Sequence, residues 1–180
     1  MLGVAGDQSL VYDLQPGAVP WFSRRCRQIA RSLGQSEEVS GMTGTARPYS
    51  ILITDDDRGC REALREIVEP EGYRALLASS GEEAVDIVRT ESVHLALLDV
   101  HMPTLTGLET LQLVRQINAL LPCVLVTADT SEGLIRQALR AQAYSVIAKP
   151  VSKNIVLYTV VRALVRVYGE VPDTRPEGMN

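Results

Sequence analysis

From Ser50 onward the chain alternates between two textures. Short apolar runs occur at Ile51 to Thr54, Ala75 to Ala78, Val93 to Leu98, Cys123 to Thr127 and Ser145 to Ala148. Each has the length and near-continuous hydrophobicity of a strand buried on both faces. Between and after them lie stretches with helical spacing: Arg58 to Val68, Gly81 to Arg89, Leu105 to Leu120, Ser131 to Ala141 and Ser152 to Tyr168. In the first of these Leu64, Ile67 and Val68 share one side, while Glu62, Arg65, Glu66 and Glu69 occupy the others. Strand followed by helix, five times over, predicts an α/β domain of parallel βαβ units with right-handed crossovers.

The punctuation agrees. Pro70 and Gly72 close the first helix, Ser80 followed by Gly81, Glu82 and Glu83 opens the second, and Ser152 stands where a cap for the last is expected. The predicted domain covers residues 49 to 169, and residues 170 to 180 form a short polar tail. Residues 1 to 48 carry scattered Gly, Ser, Pro and Gln without sustained periodicity, and read as a disordered leader with at most a short helix over Trp21 to Leu33. Met42 lies just ahead of the ordered pattern, which suggests it as the true start of translation.

Composition narrows the class. With 46% hydrophobic and 22% charged residues over 180 positions, the chain is ordinary globular protein. Its 18 basic and 22 acidic residues give a net charge of −4, which speaks against a general nucleic-acid binder. The most apolar stretch, Ile155 to Tyr168, is interrupted by Arg162 and Arg166, so no membrane span is expected. The N-terminus lacks the basic region and apolar core of a signal peptide, and a cytoplasmic location follows. Cys26, Cys60 and Cys123 are odd in number and lack metal-ligand spacing, so neither a disulfide framework nor a zinc site is predicted. Of the 18 basic residues only Lys149 and Lys153 are lysines, which makes their placement informative.

In an open parallel sheet, ligands bind beyond the carboxyl ends of the strands. Here those ends carry Asp55-Asp56-Asp57, Asp99, Thr127 and Lys149-Pro150. A single Asp in such a place often only caps the next helix, as Asp57 is expected to do. Neither packing nor capping requires the Thr and the Lys as well. Asp55, Asp56 and Asp99 drawn together would repel one another without a cation. Such hard oxygen donors suit Mg²⁺, which takes one or two carboxylates and keeps other positions for water and phosphate oxygens. A magnesium-assisted phosphoryl site is therefore predicted.

Taken in order, Ile51-Leu52-Ile53-Thr54-Asp55-Asp56-Asp57, then Leu97-Leu98-Asp99-Val100-His101-Met102-Pro103 with Gly107, then Val126-Thr127-Ala128 and Ala148-Lys149-Pro150 resemble the receiver domain of two-component response regulators. The separations, 43 residues from Asp56 to Asp99, 28 on to Thr127 and 22 more to Lys149, make the set specific although each piece alone is weak. The resemblance spans residues 49 to 169 and implies a flavodoxin-like (βα)5 fold, five parallel strands in the order 2-1-3-4-5 with helices on both faces. It implies Asp99 as phosphoacceptor, Asp55 and Asp56 with Asp99 and the backbone carbonyl of His101 as Mg²⁺ ligands, and Lys149 and Thr127 as partners of the phosphoryl oxygens. It also implies Met102, Pro103 and Gly107 as shapers of the loop after Asp99, with Gly107 serving a turn. The implied role is a phosphorelay switch rather than a dedicated enzyme. A sensor histidine kinase or phosphotransfer protein would supply the phosphoryl group, a downstream protein would receive the signal, and no direct DNA binding is expected.

Some positions depart from the family's pattern. Val146 stands where an aromatic residue is usual, Tyr144 is expected on the surface before the last strand, and Gln142 replaces a customary glycine. His101 and Asp129, two residues past Asp99 and Thr127, resemble positions that tune acyl-phosphate lifetime in the family. The last helix is apolar except for a stripe of Thr159, Arg162 and Arg166, leaving room for a homodimer surface on the fourth helix, fifth strand and fifth helix. The alternative is a degenerate receiver acting as an unphosphorylated interaction module. A haloacid-dehalogenase-like phosphatase would need an Asp where His101 stands, and three aspartates after the first strand disfavour the phosphate of a flavin cofactor.

Overall fold

The computed structural model describes residues 11–13 and 49–169. Six strands form one sheet: β1 (Val11–Asp13), β2 (Ser50–Thr54), β3 (Arg74–Ala78), β4 (Leu95–Asp99), β5 (Cys123–Thr127) and β6 (Ser145–Ala148). Their order is β1-β6-β5-β4-β2-β3. The last five are parallel, so the predicted order 2-1-3-4-5 of the five βα units holds. Five α-helices follow them: α1 (Arg58–Val68), α2 (Gly81–Thr90), α3 (Gly107–Ile117), α4 (Glu132–Arg140) and α5 (Lys153–Tyr168).

Alternation along the buried strands divides the core into two halves. Leu52, Ala96, Leu98, Leu125 and Val146 face α2, α3 and α4, meeting Ala84, Leu111, Val114 and Ile135. Ile51, Ile53, Leu95, Leu97, Val124 and Ile147 face α1 and α5, meeting Leu64, Val68, Val156, Val160 and Leu164. Strands covered on both sides have no polar face, which is why they read in the sequence as unbroken apolar runs.

Helix starts follow local chemistry. The Asp57 carboxylate accepts the Cys60 N–H at 2.8 Å, the Ser80 hydroxyl accepts the Glu83 N–H at 3.2 Å, and Thr106 with Glu109 forms a reciprocal capping box on α3. That box places the start of α3 at Gly107 rather than the expected Leu105. The Ser152 hydroxyl, expected to cap α5, makes no cap bond and is buried without a partner. Thr159 is 3% exposed and donates its hydroxyl to the Ile155 carbonyl at 2.9 Å, so it faces the core and is no part of a polar stripe. Bonding back to its own helix lets a buried threonine pass for an apolar residue. Tyr144 is also buried, at 7% exposure, among the side chains under α1 and α5. Gln142 takes φ +58°, a left-handed conformation natural to glycine, and its carbonyl accepts from Arg115 at 2.6 Å.

The largest departure is β1, a strand from within the expected leader, which pairs antiparallel with β6 in the register Val11–Ile147, Tyr12–Val146 and Asp13–Ser145. The possible Trp21 to Leu33 helix, Cys26, Met42 and the tail from residue 170 lie outside the described residues. No described helix is long and apolar enough to cross a membrane.

Candidate functional site: an acidic cluster with one lysine

β2 is hydrogen-bonded to β3 on one side and β4 on the other, so the chain leaves it in opposite directions at this point of the sheet. Asp55 follows the carboxyl end of β2 and Asp99 ends β4, side by side at the topological switch where open α/β sheets form their crevice. Oxygen atoms of Asp55, Asp56 and Asp99 all lie within 4.8 Å of one another. Asp55 and Asp99 are 1% and 5% exposed, while Asp56 faces solvent.

Each buried carboxylate accepts one donor on each oxygen, which leaves further lone pairs for a cation. Asp55 accepts the Asp57 N–H on Oδ1 at 2.9 Å and the Lys149 ammonium on Oδ2 at 2.8 Å. Asp99 accepts Lys149 on Oδ1 at 2.8 Å and the His101 N–H on Oδ2 at 3.0 Å. Lys149 thus bridges the ends of β2 and β4 from the end of β6. Burial works against its charge, but hydrogen bonds to Asp55 and Asp99 and their negative charge prevail, and its pKa is held above the usual lysine value. One ammonium faces three carboxylates, leaving an excess of negative charge and hard oxygen donors. Those donors fit a small divalent cation such as Mg²⁺.

Thr127 ends β5 fully buried, its hydroxyl accepting the Asp129 N–H at 3.0 Å and its carbonyl accepting the Lys149 N–H at 2.8 Å. The Asp129 carboxylate accepts the Ser131 N–H at 2.8 Å, a bond that draws its pKa below the usual value. The His101 side chain is exposed. The loop after Asp99 departs from the expected pattern: Thr104, not Gly107, has positive φ (+68°). Gly107 is needed for closeness instead, because a Cβ there would stand 2.1 Å from the Asp99 carbonyl oxygen.

Arg61 joins the site without having been marked by the sequence. Its guanidinium donates to the carbonyls of Asp55 at 2.5 Å and Asp56 at 3.1 Å, tying the acidic loop to the first turn of α1. The signal available was an arginine one helical turn beyond the cap Asp57. Cys60 is partly exposed, and Cys123 is buried, its thiol pushed up to about 12 by desolvation. An open cleft of about 440 Å³ between α3 and α4, lined by Leu108, Glu109, Gln137 and Arg140, holds none of the acidic cluster.

Known proteins resemble this chain in sequence and in fold. Residues 51–161 match the response regulator receiver domain family. The response regulator MprA of Mycolicibacterium vanbaalenii is 37% identical over 119 residues, 66% of this chain and 51% of that protein. The transcriptional regulatory protein CpxR of Escherichia coli is 42% identical over 82 residues, 46% of this chain and 34% of that one. The chain therefore spans about half or less of the length of these curated relatives. Among solved structures, a CheY-like receiver domain protein from Methanospirillum hungatei superposes with TM-score 0.64 at 28% identity, covering 66% of this chain and 95% of that one. A chain of the CheX-CheY-BeF3-Mg²⁺ complex from Borrelia burgdorferi gives TM-score 0.63 at 27% identity, covering 66% of this chain and 90% of that one. With five parallel strands in the matching order, acids at the ends of two of them and a lysine at the end of a third, the chain belongs to the response regulator receiver domain family of two-component signalling.

Proposed function

We propose that the domain is a Mg²⁺-dependent aspartyl-phosphate switch with Asp99 as the acceptor. The observation that carries this is the Asp99 carboxylate at the sheet's switch point, flanked by Asp55 and Asp56 and held by Lys149 at 2.8 Å. An Asp99 oxygen attacks the phosphorus of a phosphohistidine on a sensor kinase or phosphotransfer protein. The new O–P bond forms as the P–N bond breaks, and the departing imidazole takes up a proton. Asp55, Asp56, Asp99 and the His101 carbonyl would hold the cation, which offsets negative charge on the phosphoryl group. Lys149 is already charged and aimed at Asp99, so it pairs with a phosphoryl oxygen without first being reoriented. The Thr127 hydroxyl supplies a further hydrogen bond from the neighbouring strand end.

In this reading the output is a change of surface passed to a partner protein in the cytoplasm, and the domain turns over no substrate besides its phosphodonor. Titration calorimetry with Mg²⁺ and then beryllofluoride tests it. The natural chain binds both, Asp56→Ala loses Mg²⁺, and Asp99→Asn loses beryllofluoride. A natural chain that binds neither would leave an unphosphorylated interaction module in its place.

A further inference from the structure

Seven large hydrophobic side chains are exposed among the described residues, and six of them gather at one end of the domain. Ile117 ends α3, Leu120 follows it, Leu139 is in the last turn of α4, and Val165, Val167 and Tyr168 are in the last turn of α5. Helices in parallel βαβ units run back against their strands. These helix ends therefore lie at the amino ends of the strands, opposite the acidic cluster. Single apolar residues scattered over a surface are ordinary, whereas confinement to one end is the pattern of a docking surface.

The chain itself supplies an occupant. β1 runs antiparallel to β6, and its last residue, Asp13, pairs with Ser145 at the start of β6. Residues 14–48, which lie outside the described residues, therefore set out from this end. They also return to it, because Tyr49 directly precedes β2 and its ring lies 5.0 Å from that of His94 and 5.5 Å from that of Tyr168. Between the two points stand the amino ends of β6, β5 and β4. Four strand intervals are about 19 Å, a gap that about six extended residues would close. The segment has 35 residues, far more than the crossing needs. Its Trp21 to Leu33 stretch, as a helix of 13 residues, would be about 20 Å long and match the gap. Phe22, Cys26, Ile29 and Leu33 would share one side of it, and Arg24, Arg27 and Arg31 the other. A helix of this length is marginal alone in water, and packing of its apolar side is what stabilises it.

We infer that residues 21–33 dock as an amphipathic helix across the amino ends of the strands, with the apolar side on Ile117, Leu120 and Leu139 and the arginines in solvent. The surface lies at the opposite end of the domain from Asp99, and the inference does not depend on phosphorylation.

Trp21 is the only tryptophan of the chain, so its fluorescence reports on this segment alone. The test records the emission maximum and acrylamide quenching of the natural full chain across a dilution series. At every concentration the natural chain shows emission shifted to the blue of the urea-unfolded chain and weaker quenching. Ile117→Ser with Leu120→Ser loses both features, and so does Phe22→Ser with Ile29→Ser. Unchanged exchange protection of β2 and β4 amides shows that each variant is folded. If the first pair unfolds α3, Leu120→Ser alone, at a position 78% exposed and outside the helix, supplies the comparison. A natural chain whose Trp21 is quenched as in urea overturns the inference. So does protection that survives either set of substitutions, or protection that fades on dilution and so belongs to a second copy.

Discussion

Gly107→Ala separates close approach from helix propensity. Gly107 is the first residue of α3, where alanine should be the better helix former by up to about 1 kcal/mol. Its Cβ, however, would stand 2.1 Å from the Asp99 carbonyl oxygen, 2.9 Å from that carbonyl carbon and 3.0 Å from the Val100 Cα. All three atoms are main chain, so no rotamer change relieves the clash, and α3 must move away from the end of β4 by roughly 1 Å to restore ordinary contact. The Gly107 N–H bond to the Val100 carbonyl, 3.1 Å, opposes that shift. Overpacking of this kind costs about 1–3 kcal/mol, and more where backbone must move. The expected net loss is about 2 kcal/mol, read in urea unfolding as a midpoint lowered by roughly 1–2 M with little change in slope. Gly133→Ala is the control: it sits in α4, and its Cβ would meet nothing closer than the Ser131 hydroxyl at 3.8 Å. That variant should gain about 0.5–1 kcal/mol. A Gly107→Ala protein as stable as the natural one would refute the reasoning.

Other perturbations probe different parts of the molecule. Lys149→Met leaves the buried Asp55 and Asp99 without their shared cation and should cost on the order of 3 kcal/mol near neutral pH. Urea unfolding of the variant beside the natural chain checks this, and equal midpoints would contradict it. Gln142→Gly relieves the left-handed φ of +58° and should raise stability by about 1 kcal/mol in denaturant unfolding, despite losing an exposed contact with Arg115. The His94 Nδ1 accepts the Ser50 N–H at 3.0 Å, and burial lowers its pKa below 6.5. The unfolded chain therefore takes up this proton first. The stabilisation is complete above about pH 6.5 and declines as pH falls toward the lower folded value. His94→Asn should flatten that part of the melting-temperature profile, and an unchanged slope would count against the assignment.

The parallel fold was legible because burial on both sheet faces turns strands into apolar runs and leaves the amphipathic pattern to the helices. The acid cluster was legible because Asp55-Asp56 follow one apolar run and Asp99 ends another, the places where parallel strands deliver side chains to a shared crevice. What stayed hidden depends on contacts that sequence period does not encode. β1 is three residues long and its partner lies more than a hundred positions away, so it leaves no periodic trace. Thr159 looks polar but bonds its own helix, and Gly107 looks like a turn glycine but makes room for a neighbouring carbonyl. Arg61 resembles any helix-surface arginine until the acidic loop folds back onto it.

The central claim, that Asp99 accepts a phosphoryl group with help from a divalent cation, is tested most directly by intact-protein mass spectrometry after incubation with acetyl phosphate. The account predicts one added phosphoryl group on the natural chain with Mg²⁺, none after chelation, and none on Asp99→Ala. An adduct that survives in Asp99→Ala, or forms equally without metal, would contradict it.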